Sequence, residues 1–135
     1  MTDDRDIALA FMHALWAGDL EAAGNLLRAD ARWIFQLGMP QSRLPGPGRD
    51  WPARPAMKRI VDDLFGKFDP DGFVVTVTRT IAESGSVAIE YEASGRTGEG
   101  RPYQNYYVTL LRVADGKVIE VRPHNDTAHL LHLLS

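Results

Sequence analysis

Four residues of this chain have the types and spacing that proton transfer beside a carbonyl requires: His13, His124, Tyr107 and Asn105. Histidine changes charge near neutral pH, which suits it to take a proton and return it. His124 stands two residues before Asp126, and an imidazole beside a carboxylate is the pairing a general base uses. His13 is the polar exception in an apolar run, Ile7 to Ala17. Asn105 and Tyr107 alternate with Thr109 and Leu111 on one side of the run Tyr103–Val113, while Tyr106, Val108 and Leu110 fall on the other. If that side faces inward, Asn105 and Tyr107 would offer neutral hydrogen bonds to a carbonyl or to the enolate oxygen formed from it. Tyr91 is placed to join them from the neighbouring strand.

Each of these residues also has a purely structural reading. His13 can satisfy a hydrogen bond in the core, and His124, by strand parity with Glu120 and Arg122, can face outward. Asp126 or Thr127 is placed to cap a terminal helix, Ala128–Leu134, and capping is the preferred reading of Asp126. The tyrosines serve equally as core aromatics with their hydroxyls at an edge, and Asn105 as a strand-pairing residue. His124, His129 and His132 lie close in sequence, but no paired ligand motif stands elsewhere and the chain has no cysteine, so neither a metal nor a cofactor is assigned. Phe11, Trp33, Phe35 and Trp51 complete the picture as apolar lining.

The elements that must position these residues are legible from periodicity. The run Ile7–Ala17 carries Ile7, Phe11, Ala14 and Leu15 on one stripe and Leu9, Met12 and Trp16 on another, a helix with core on more than one side. Gly18-Asp19 ends it, with Asp19 capping a second helix to about Arg28, and Arg32–Leu37 reads as a short strand. A further helix is predicted over Ala56–Phe68. Four β-rich runs follow, Phe73–Ile81, Val87–Thr97, Tyr103–Val113 and Lys117–His124, separated by Gly, Ser and Asp turns that imply antiparallel pairing. Asp115-Gly116 is the clearest hairpin signal, since both residues tolerate positive φ. Helices followed by strands predict an α+β fold with helices on one face of a curved sheet. Between Gly38 and Pro55 runs a loop with five of the chain's eight prolines, either a stiffened surface connection or a lid.

Composition narrows the function classes. At 135 residues and 44% hydrophobic content the chain makes one domain, 1–135, with a core of its own. A net charge of −3 with signs interspersed offers no footprint for nucleic acid or an anionic membrane. The start MTDDRD is acidic, and the apolar run behind it is broken by His13 and Asp19, unlike a signal peptide or a membrane span. A cytoplasmic location is expected.

The order helix, helix, strand, loop, long helix and four antiparallel strands, with the segments AGDLEAAGNLL, VAIEYEASGRT, GRPYQNYYV and DGKVIEVRPHNDTAHLL, resembles the nuclear transport factor 2-like superfamily over almost the whole chain. Within it the chain resembles the SnoaL-like, ketosteroid-isomerase-related branch. The resemblance implies a cone-shaped α+β barrel with a ligand-sized cavity between helices and sheet, and a homodimer on the outer sheet face. It also exposes departures. Where a ketosteroid isomerase of this fold places its tyrosine, base and acid, this chain has Phe11, Phe35 and, on or near the acid position, Thr109. Where the fold's epoxide hydrolases place an Arg and two Asp residues, it has Tyr91, Ala93 and Pro123, and proline can be neither acid nor base. Two function classes therefore stay open. One is a protein binding a small hydrophobic, aromatic or polyketide-like molecule, with isomerase- or cyclase-type proton transfer by His13 or His124 and enolate stabilisation by Tyr107 and Asn105. The other is a non-catalytic ligand-binding or dimerisation module that has lost the family's catalytic residues.

Overall fold

A computed structural model describes residues 3–35, 49–126 and 128. The first helix, α1, spans Asp4–Trp16 and opens three residues before the apolar run, because the Asp3 carboxylate accepts the Asp6 N–H at the N-terminus while Asp4 and Asp6 sit in the first turn. Ile7, Ala8, Phe11, Met12 and Leu15 are its buried side. Gly18 turns the chain at φ 74°, and Asp19 caps α2, Leu20–Asn25. This helix is shorter than predicted: the chain pairs as strand β1, Leu27–Ile34, where a helix was expected to Arg28. The carbonyls freed by that early stop are met by cations from afar, Arg54 on Gly24 O at 2.8 Å and Lys117 on Asn25 O at 2.5 Å.

Residues 36–48, which hold most of the predicted loop, lie outside the described residues. Its end is not loop: Asp50–Pro52 forms β2, antiparallel to β1 with Trp51 opposite Trp33, and α3 runs Ala53–Asp63. Leu64 then breaks the α-helical path, and Phe65–Lys67 forms a 3₁₀ turn, so Phe65 and Phe68 leave the helix on which the sequence placed them. The break comes where Gly66 lowers helix propensity.

Strands β3 (Val74–Glu83), β4 (Ser86–Arg96), β5 (Pro102–Ala114) and β6 (Lys117–Asn125) make the predicted antiparallel meander. Its hairpins turn at Ser84-Gly85 (φ 50° and 81°) and Asp115-Gly116 (φ 54° and 77°), the doubly positive backbone that a tight two-residue hairpin demands. The curved sheet has the order β2-β1-β6-β5-β4-β3. β1 joins β6 in parallel, which brings the N-terminal unit to the middle of the sheet. The sheet stays open, with β2 and β3 at its edges, so the cone is not closed into a barrel. The helices cover its inner face. Alternation holds on β5, where Tyr103, Asn105, Thr109, Leu111 and Val113 are buried and Tyr106, Val108 and Leu110 are exposed. Among the described residues no helix is long and apolar enough to cross a membrane.

Candidate functional site

The inner face of the sheet and the helices above it enclose a cavity of about 50 Å³, room for one or two waters. Its floor is Tyr91 and Ala93 of β4, Tyr107 and Thr109 of β5, and Val121, Pro123 and Asn125 of β6. Trp33 of β1 closes one side. Met12, Leu15 and Trp16 of α1 form part of the roof, with Ile60 of α3 beside them. The 3₁₀ segment and the start of β3 add Leu64, Phe65, Phe68, Phe73 and Val75. Trp16, Phe65, Phe73 and Tyr107 are only part-buried, so they form the side nearest solvent, whereas Trp33, Tyr91 and Thr109 lie deep.

The polar groups on this wall are neutral and mostly paired. Tyr91 and Thr109 sit diagonally on adjacent strands, Thr109 two residues beyond Tyr91's partner Tyr107, and their hydroxyls meet at 2.9 Å. Tyr91 is stacked flat on Tyr107, ring centroids 5.0 Å apart, and Trp16 leans on its other side at 4.7 Å. Burial pushes the Tyr91 hydroxyl up to about 12, with hydrogen bonds to Thr109 and Trp16 opposing the rise. Tyr107 is raised further, by burial and by the nearby Tyr103, whose hydroxyl it meets at 2.5 Å. Asn105 stands behind this pair: its amide donates to Tyr103 Oη at 2.8 Å and to the Asp126 carbonyl at 3.0 Å, while its oxygen accepts the Tyr106 N–H. The amide is thus spent on holding tyrosines and chain, and Asn105 does not line the cavity. These tyrosines remain protonated at neutral pH. They can donate hydrogen bonds but cannot act as bases.

The sequence-predicted residues separate into three groups. Tyr107, Tyr91, Thr109, Trp33 and Pro123 come together on the cavity wall. Phe11, Phe35 and Trp51 are buried in the core and do not line it; Trp51 packs edge-on to Phe35 at 6.0 Å. His13 and His124 are exposed and do not line it either. His13 sits on the solvent side of α1 with its ring against Trp16 at 5.2 Å, and His124 points from the outer sheet face opposite the exposed Val108. The helical repeat explains the first, since Phe11, Met12 and Leu15 already occupy the arc that faces the sheet. Strand parity with Arg122 explains the second. Asp126 Oδ1 accepts the Ala128 N–H at 3.1 Å, while the helix predicted beyond it, with His129 and His132, lies outside the described residues. Among the described residues no three His, Asp or Glu side chains converge as a metal site.

Sequence reasoning missed Trp16 and Asn125. Both had a signal: Trp16 is one helical turn beyond Met12, and Asn125 shares strand parity with Pro123 and Val121. No carboxylate and no histidine stands among the described lining residues.

The SnoaL-like domain family matches residues 8–121. No curated protein matches the chain. Among solved structures, it is similar to IdmH from Streptomyces antibioticus, a candidate polyketide cyclase, at 22% identity and a TM-score of 0.80 over 98% of this chain and 99% of that one. It is also similar to a candidate SnoaL-like polyketide cyclase from Jannaschia sp. CCS1, at 20% identity and 0.71 over 97% and 88%. A nuclear transport factor 2-like protein from Burkholderia thailandensis aligns at 16% identity and 0.76 over 100% and 99%. With a family match across most of its length, the chain belongs to the SnoaL-like domain family, and it shares the fold of these neighbours, the nuclear transport factor 2-like protein among them.

Proposed function

We propose that this protein binds a small hydrophobic molecule, aromatic or polyketide-like, in the cavity between α1, α3 and the sheet, and that its chemistry is of the cyclase or isomerase type. The observation that carries the reading is the wall itself: apolar and aromatic, with phenol, hydroxyl, amide and indole groups and no carboxylate, histidine, lysine or arginine among the described lining residues. Similarity to the candidate polyketide cyclases of Streptomyces antibioticus and Jannaschia supports the reaction class. Such a wall lowers the energy of an enolate by hydrogen bonding while leaving the proton to water or to the substrate's own groups. Rings in the cavity hold the reacting carbons of a flexible chain near each other. The enclosed space is smaller than any such ligand, so binding displaces the half-buried Phe65, Phe73 or Trp16 side chains.

The test is binding of tetralin, an aromatic hydrocarbon probe, followed by tryptophan fluorescence. Wild-type protein takes up tetralin, and Ala93→Leu, which fills the cavity from β4, weakens uptake at least tenfold. Equal uptake by both, with Ala93→Leu folded by circular dichroism, would overturn the reading.

The non-catalytic reading is favoured by one observation, the exposure of both candidate histidine bases. It predicts ligand affinity without turnover, and a bell-shaped rate profile with any substrate excludes it. We also propose a homodimer on the outer sheet face, where Ile81, Tyr106, Val108 and Leu110 are exposed. Sedimentation velocity distinguishes a dimer that Leu110→Glu dissociates from a monomer at every concentration.

A further inference from the structure

We infer that Trp33 is a specificity-determining residue, its indole N–H donating a hydrogen bond to a neutral carbonyl oxygen of the molecule bound in the cavity. The inference rests on the cavity being the ligand site, as proposed above, and adds which ligands the site prefers.

Trp33 is 2% exposed, and its Nε1–H has no hydrogen-bond partner among the described residues. Buried polar groups are almost always paired, and leaving one unpaired costs about 1–3 kcal/mol. Backbone pairing with Trp51 of β2 and Val121 of β6 fixes the position of Trp33 in the sheet, and its side chain is buried on the cavity side. The same ring forms part of the cavity wall. An indole only donates, so what completes it is an acceptor.

The rest of the wall narrows the acceptor's chemistry. Tyr91 and Thr109 have two hydroxyl hydrogens and use one between them, which leaves a second donor deep in the same cavity. There is no lysine, arginine or histidine among the described lining residues. A carboxylate brought here would be buried without a counter-ion, and a hydrocarbon would leave the indole unpaired. A ketone or quinone oxygen on an aromatic skeleton avoids both costs.

The experiment compares tetralin with 1-tetralone, the same two-ring skeleton with one carbonyl, and with 1-tetralincarboxylate. 1-Tetralone binds wild-type protein about tenfold more tightly than tetralin, a difference of about 1.4 kcal/mol, and the carboxylate binds more weakly than either. In Trp33→Phe the ratio of tetralone to tetralin affinity falls to within about twofold of one. A second readout needs no variant of Trp33 that folds. In 15N-labelled wild-type protein, one of the three tryptophan indole N–H resonances moves downfield with tetralone and does not with tetralin. Trp16→Phe and Trp51→Phe identify it by elimination. Tetralin and tetralone binding equally, or an indole shift that maps to Trp16 or Trp51, would overturn the role of Trp33 while the cavity reading stands. If neither probe binds, the cavity reading falls and this inference with it.

Discussion

The two faces of β5 are built from the same strand and from overlapping residue types, yet they have become different materials. Tyr106 on the outside is 62% exposed, while Tyr107, its neighbour in sequence, is stacked on Tyr91 at the cavity wall. Leu110 is 42% exposed and Leu111 is 1%. On the outer face charged groups pair with each other, as Arg122 does with Glu120 at 3.0 Å. On the inner face a hydroxyl must find another hydroxyl. Residue type therefore says little about chemistry in this fold until the face is known, and the face is set by one unit of strand register.

The comparison breaks most visibly at the leucine pair. Leu111→Ala leaves a void in the packed interior and costs about 2–5 kcal/mol, whereas Leu110→Ala costs less than about 1 kcal/mol in the monomer. Urea midpoints of the two variants at low protein concentration check this. Similar losses would mean that the outer face is itself packed, as an interface would make it.

Alkaline pH probes the buried tyrosines of the inner face. The Tyr91 phenol is at about 12 when folded against an ordinary 10, so between these values the unfolded chain has released a proton that the native state keeps. Stability is therefore undiminished below pH 10 and falls as pH rises toward 12, by about 2–3 kcal/mol from this group, with Tyr107 and Tyr103 adding in the same direction. Denaturation midpoints against pH follow the loss. Tyr91→Phe flattens part of the slope, and an unchanged slope in that variant would detach it from the cavity.

Threonines on opposite faces sharpen the contrast with identical substitutions. Thr109→Val removes the buried hydrogen bond between the Tyr91 and Thr109 hydroxyls and costs about 1–3 kcal/mol, while Thr78→Val, which loses bonds to Glu90 at the surface, costs within about 0.5 kcal/mol. Thermal unfolding resolves the difference. The smallest effects belong to the histidines: His13→Gln and His124→Gln each shift stability by less than about 0.5 kcal/mol and leave tetralin affinity unchanged within twofold. A larger fall in affinity with either would bring that histidine back to the site.

Much of the architecture was written locally. Asp19 before an apolar helix, Asp115-Gly116 between β-rich runs and the alternation of Tyr103–Val113 each act through the backbone within a few residues, and the structure carries all three. What failed locally failed for tertiary reasons. Leu26–Arg28 is no poorer as helix than what precedes it, but pairing with β6 takes it into the sheet, as the Val118 N–H on Leu26 O shows. Asp50–Pro52 reads as loop until β1 supplies its ladder.

The site was only half legible for the same reason. Strand alternation put Tyr107 and Thr109 on one side of β5, because that periodicity is a property of a single element, and the family resemblance named that side as the inward one. The sequence by itself determined the α+β order of elements, the Asp115-Gly116 hairpin and the alternation of Tyr103–Val113. Only the tertiary structure decided that Tyr91 reaches Thr109, that Asn105 holds Tyr103 rather than a ligand, that His13 and His124 stand outside, and that the buried Trp33 N–H has no partner among the described residues. Those are distances and enclosures between elements far apart in the chain, and they come into being when helices and sheet close on one another.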